Sequence, residues 1–254
     1  MMSPRVRASF AAALLAGSLL ATAVSGAWAA ALFTPEQRAE IVAILHEALR
    51  SDPSILRDAV RALQADEGAR QDRAARTAIA RDRDALLADP ADPVAGNPGG
   101  DVTVVEFYDT RCSYCRRMLP TMDALLRAEP TVRLVYKDLP VLGPSSRLEA
   151  RALLAAQHQG GYLKLQEALM RSSIPSTPES IRAEAERQGL DADRLLRDMS
   201  DATIRVRLEL NARLARDLAI EGTPALVIGG RLIPGAADLA TLRAAVAEAR
   251  GSGR

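Results

Sequence analysis

The chain has 254 residues, two cysteines and 33 Lys and Arg against 32 Asp and Glu, a formal net charge of +1. That balance leaves no basic footprint for a nucleic acid, and the length suffices for one sizeable core with an appendage. A four-ligand zinc knuckle is excluded, because the cysteine pair has no second pair and His46 and His158 stand alone on expected helices.

Arg5 and Arg7 precede the uncharged run "ASFAAALLAGSLLATAV", and the small residues of Ala27-Trp28-Ala29 follow. This is the order of a secretory signal peptide, residues 1–29, cleaved after Ala29 or alternatively after Ala31. An uncleaved membrane anchor is the competing reading, since the run has about the length of a short transmembrane helix. The expectation is a chain exported to the periplasm.

Residues 30–88 read as a helical arm. Thr34, Pro35 and Gln37 form a helix start with a capping-box pattern, and Ile41, Ile44, Leu45 and Leu49 recur on one face. "SDP", 51–53, breaks and restarts the helix, and Ile55, Leu56, Val60 and Leu63 continue the stripe. That stripe is too small to form a core by itself, so the arm is expected to oligomerise the protein. From Gln64 to Arg83 the residues are mainly Ala, Arg and Asp, the composition of a solvent-bridging connector. The alternative is that the whole segment packs onto the domain that follows. "DPADPVAGNPGGD", 89–101, reads as a Pro/Gly-rich linker and the domain boundary.

Residues 102–250 carry the order of an α/β domain. "VTVVEFY", 102–108, predicts a buried strand, a helix with Pro120 inside it follows the cysteines, and a second strand lies around 132–137. A helical stretch of about 146–219 comes next, then a hairpin turning at Gly229-Gly230 and a last helix from Asp238 to about Ala249. No internal repeat is present.

Cys112 and Cys115 stand three apart between the first strand and its helix. A disulfide closing so short a loop braces little, so the pair is placed for reactivity. The first cysteine sits at a helix N-terminus, where the dipole and free N–H groups favour a thiolate. Cys112 is thus the expected nucleophile, and Cys115, about one turn on, the buried resolving thiol.

"VVEFYDTRCSYCRRMLP" resembles the active-site segment of the DsbA-like thiol–disulfide oxidoreductases, and the likeness continues through "VYKDLPVLGPSS", 135–146, and "EGTPALVIGGRLIPGA", 221–236. The resemblance covers about residues 94–250. It implies a thioredoxin fold with an inserted helical domain, preceded here by the N-terminal helical arm. It also implies a cis bond between Thr223 and Pro224 beside the cysteines, with both residues holding substrate. Glu106 matches the position of a buried acid that moves a proton to or from the resolving cysteine, and burial suits that task by raising a carboxyl pKa. Tyr114 is placed to line the peptide surface, while Ser113-Tyr114 departs from the Pro-His of strongly oxidising members and offers no imidazolium to a thiolate.

An arm before such a domain resembles the suppressor of copper sensitivity C group. That likeness implies a homo-oligomer, a trimer rather than a dimer, and a lean toward disulfide isomerase activity. The sequence therefore reads as an exported disulfide isomerase or oxidase acting on cysteine-containing secreted proteins. It needs a membrane redox partner, no bound metal and no cofactor beyond the redox-active pair Cys112–Cys115. A Cu(I)-binding periplasmic protein using the same two thiols is the alternative.

Overall fold

The computed structural model of the protein describes residues 33–252, so the expected signal peptide lies outside the described residues. The chain divides into two compact units, one ending at Gln64 and one starting at Ala65.

The first unit is made of α1 (Pro35–Ser51) and the start of α2 (Ser54–Arg81). Thr34 caps α1 and Gln37 completes the capping box, with Thr34 N donating to Gln37 Oε1 at 2.8 Å. Asp52 Oδ1 then accepts from Ser54 N at 3.0 Å and starts α2. No residue of α1 is buried. The apolar stripe is uncovered, with Ile44 61%, Leu56 59% and Leu63 68% exposed.

The second unit continues through α3 (Arg83–Leu87), β1 (Val94–Gly96), β2 (Val102–Tyr108), α4 (Ser113–Ala128) and β3 (Val132–Asp138). Then come α5 (Pro144–Gln157), α6 (Tyr162–Arg171), α7 (Pro178–Arg187), α8 (Ala192–Asp198) and α9 (Ala202–Asp217), followed by β4 (Ala225–Ile228), β5 (Arg231–Pro234) and α10 (Leu239–Ser252). The strands form one sheet in the order β1-β3-β2-β4-β5, with β2 and β3 parallel and the other neighbours antiparallel. This is the thioredoxin fold expected from the sequence, with a helical layer inserted between β3 and β4.

Both faces of the sheet are covered, which is why β2 reads as a near-continuous apolar run. Val102, Val104 and Tyr108 face a core shared with Met118, Met122 and Leu125 of α4. Val105 and Phe107 face the opposite core, with Leu214 and Ala215 of α9. At the hairpin, Gly229 and Gly230 take φ of +56° and +81°, the left-handed pair that a tight two-residue turn requires.

Two expectations are corrected here. The polar segment 64–83 is not a solvent bridge along its whole length, because Ala75, Ala78 and Ile79 are buried and Ala78 and Ile79 belong to the second core. Small side chains on one helix face let the backbone approach closely, and Arg81 pairs with Asp217 of α9 at 3.2 Å. Nor is 89–101 a linker. Its Val94–Gly96 pairs with β3 as an edge strand. Gly96 is required there, since a Cβ would meet the Val132 carbonyl oxygen at 2.6 Å. Asp92 is buried on Lys137 at 2.5 Å and on Arg207 at 3.2 Å, which binds this segment to β3 and α9. The arm proper therefore ends near Gln64, and residues from Ala65 onward belong to the α/β unit.

Candidate active site

The site is built where β2 ends and α4 begins. Cys112 is the N-cap residue of α4, with φ −70° and ψ 121°, so its side chain stands over the free N–H groups of the first turn. Its backbone is fixed on both sides, Cys112 N donating to the Asp109 carbonyl and Arg116 N to the Cys112 carbonyl, each at 3.0 Å. Both cysteines are free thiols. Cys112 retains 7% exposure, whereas Cys115 has none.

Burial pushes the Cys112 thiol up, but hydrogen bonds with Thr223, with the Cys115 backbone and side chain and with the Tyr114 backbone outweigh it, and the net pKa is lowered. Burial drives Cys115 far above the ordinary thiol range, with the neighbouring Cys112 and Glu106 charges adding to the rise. Cys112 is thus the thiol that ionises first and the one solvent reaches.

The opposing wall comes from the loop before β4. Thr223–Pro224 is a cis peptide bond, and the Cys112 Sγ donates to the Thr223 carbonyl at 3.2 Å. Pro224 is held in turn by Gly235, whose N–H donates to its carbonyl at 2.9 Å. Beneath the pair lies Glu106, 3% exposed on β2. It shares the strand face of Val104 and Tyr108, the face turned toward α4. Burial raises its carboxyl to a pKa of about 8. Tyr114 is 57% exposed, and the Arg117 guanidinium lies 4.3 Å from its ring centroid. Tyr114, Thr223 and Pro224 line one cavity of about 630 Å³. All six residues singled out from the sequence therefore surround one end of α4.

Sequence reasoning missed Asp109 and Arg116. The buried Asp109 carboxylate accepts from Arg111 N at 2.8 Å, from Val141 N at 2.9 Å and from Leu142 N at 3.1 Å. It joins the loop before Cys112 to the loop after β3. Arg116 donates to the carbonyls of Thr110 at 2.7 Å and Ser172 at 2.8 Å, joining the same loop to the end of α6. An acid three residues before a reactive cysteine was the available signal for Asp109. Nothing in the sequence marked the distant carbonyls that Arg116 reaches. Among the described residues no group of three or more His, Cys, Asp or Glu is placed to hold a metal ion.

Residues 103–247 match the model of the DSBA-like thioredoxin domain. The chain belongs to the DsbA-like thioredoxin family. This is a family of thiol–disulfide oxidoreductases, so the match does not favour the Cu(I)-binding alternative. Residues 37–70 match the copper resistance protein ScsC N-terminal domain, which extends the likeness into the arm.

A thioredoxin-like oxidoreductase from Silicibacter pomeroyi DSS-3 is 43% identical, with 66% of this chain and 98% of that chain covered and a TM-score of 0.65. Proteus mirabilis ScsC in a transitional conformation is 31% identical over 87% of this chain and 100% of that chain, with a TM-score of 0.64. Among curated proteins, the Na(+)/H(+) antiporter NhaA 3 of Salinispora tropica is 32% identical over 65% of this chain. The chain spans about a quarter (26%) of that antiporter's length. No helix among the described residues is long and apolar enough to cross a membrane.

Proposed function

We propose that the chain is an exported thiol–disulfide oxidoreductase that rearranges disulfides in secreted, cysteine-containing proteins, working in the periplasm as a homo-oligomer. The observation that carries the chemistry is the inequivalence of the two thiols. Cys112 is lowered in pKa at the N-terminus of α4, while Cys115 is buried and raised. An enzyme of this type needs one thiolate ready to attack and one thiol held back.

In the reduced enzyme the Cys112 thiolate attacks a substrate disulfide. A Cys112–substrate S–S bond forms, the substrate S–S bond breaks, and the departing substrate sulfur leaves as a thiolate. In isomerisation another substrate thiolate then attacks the mixed disulfide, a new substrate disulfide forms and the Cys112 thiolate is returned. No electrons are gained or lost overall. Where no such thiolate arrives, Cys115 gives up its proton and attacks Cys112, releasing the reduced substrate and closing Cys112–Cys115. A membrane redox partner of the thiol–disulfide class would supply the two electrons that reopen it. Run in reverse, the same steps oxidise a substrate.

Glu106 is the group proposed to exchange the Cys115 proton, since its pKa of about 8 leaves both protonation states populated near neutrality. Tyr114, Thr223 and Pro224 are the proposed substrate contacts. The cysteine pair is the only redox group this chemistry uses. The preference for isomerisation rests on the arm, whose uncovered stripe suits assembly and whose match to the ScsC N-terminal domain supports it. Several sites in one assembly would grip a misfolded substrate at more than one point. A trimer is proposed over a dimer from the ScsC resemblance.

The test is reactivation of a scrambled, disulfide-containing substrate by the full chain. The expected result is activity that Cys112→Ser abolishes, with Cys115→Ser accumulating a mixed disulfide through Cys112. Unchanged reactivation by Cys112→Ser would remove the proposal.

A further inference from the structure

The cavity beside Pro224 has a second wall that the chemistry above does not use. It is supplied by α2, through Gln71, Asp72 and Ala75. Its floor is apolar, formed by the buried Leu218 and Ala225 together with Leu232 and Pro234. At about 630 Å³ it accommodates a few residues of an extended peptide.

Every charged side chain lining this cavity is an acid: Asp72, Asp217 and Glu221. Asp217 is neutralised locally, by Arg81 at 3.2 Å and Arg213 at 3.7 Å. Asp72 and Glu221 have no ion pair among the described residues and are exposed. Arg117, beside the rim residue Tyr114, is engaged over the Tyr114 ring. A second cavity, at the other end of the β4–β5 hairpin, is lined instead by Arg76, Arg83 and Arg231 with a single acid, Glu248. Of these two cavities, the acidic lining belongs to the one that adjoins Thr223 and Pro224.

We infer that this groove selects substrate segments in which an apolar stretch next to the reacting cysteine is followed by a basic residue. The apolar part lies on Leu218, Leu232 and Pro234, and the basic side chain meets Asp72 and Glu221. Acidic segments are disfavoured by the same two carboxylates. The inference rests on reading Thr223 and Pro224 as the substrate contact.

The test uses the oxidised full-length chain and three synthetic single-cysteine peptides that differ only in a flanking Lys, Gln or Glu. Each exchange rate is divided by the same peptide's rate with oxidised glutathione, which removes differences in the peptide thiol itself. The Lys peptide is expected to exceed the Gln peptide about fivefold, with the Glu peptide slowest. High salt should compress the ranking, because these carboxylates are exposed. Asp72→Asn combined with Glu221→Gln should level the three rates. Equal rates in the unaltered chain, or a ranking that survives in the double variant, would overturn the inference and leave the exchange chemistry standing. Failure of all three peptides to exchange would overturn the reading of the site and the inference with it.

Discussion

Two neighbouring stretches of helix treat their side chains in opposite ways. Between Ile41 and Leu63 the large apolar residues recur at helical spacing and stay exposed, Leu63 at 68%. Between Ala65 and Leu87 the residues are mostly Ala, Arg and Asp, yet Ala75, Ala78, Ile79 and Leu86 are buried. Hydrophobicity alone thus predicts the wrong segment as covered. Burial depends on a surface that fits, and small residues with one well-placed Ile or Leu fit the α/β unit. The stripe before Gln64 meets no such surface within its own unit, which is the physical motive for the proposed assembly.

The largest expected effect comes from where the chain is cut. Removing residues 34–64 should leave a folded, exchange-active monomer without isomerase activity, whereas removing 34–88 should also strip Ile79 and Leu86 from the second core and abolish cooperative unfolding. Circular dichroism melting of the two deletions checks this. Equal stability of the two would place the boundary after residue 88 again. Single substitutions sharpen the contrast. Leu86→Ala, at a site with no exposure, should cost about 2–5 kcal/mol in denaturant unfolding. Leu63→Ala should change the stability of a dilute monomer by less than about 0.5 kcal/mol while weakening assembly.

A smaller effect, on the order of a few kcal/mol, concerns the buried acid of β2. Glu106 holds its proton up to a pKa of about 8 in the folded chain against an ordinary value of 4.5. The folded state therefore binds this proton more tightly than the unfolded state does. The stability it contributes is complete below the unfolded value and is lost as pH rises through the folded one. Glu106→Gln should flatten the fall in stability between about pH 4.5 and pH 8, read from urea midpoints at a series of pH values. An unchanged slope would mean the carboxyl is not buried as a neutral acid. Asp109→Asn should cost about 1–3 kcal/mol, because it weakens acceptance from the Val141 and Leu142 N–H groups.

Much of the α/β unit was legible because its signals are local. The run 102–108 is β2 to the residue, the Gly229-Gly230 turn closes the hairpin, and the cysteine spacing places Cys112 at the cap of α4. What stayed hidden depends on partners far along the chain. The segment 89–101 looked like a linker because its Pro and Gly residues mimic one. Only the pairing of Val94–Gly96 with β3 and the contacts of Asp92 with Lys137 and Arg207 make it part of the sheet. The acidic wall that α2 adds to the groove was illegible for the same reason. Asp72 and Glu221 lie far apart in sequence and come together only through the fold.

The central claim is that Cys112 and Cys115 are unequal thiols held at one site, and alkylation of the reduced chain over a pH series, located by peptide mass, tests it most directly. Cys112 should react first and at a pH below the ordinary thiol range, with Cys115 unmodified until the protein is unfolded. Equal reactivity of the two, or earlier reaction of Cys115, would contradict the account.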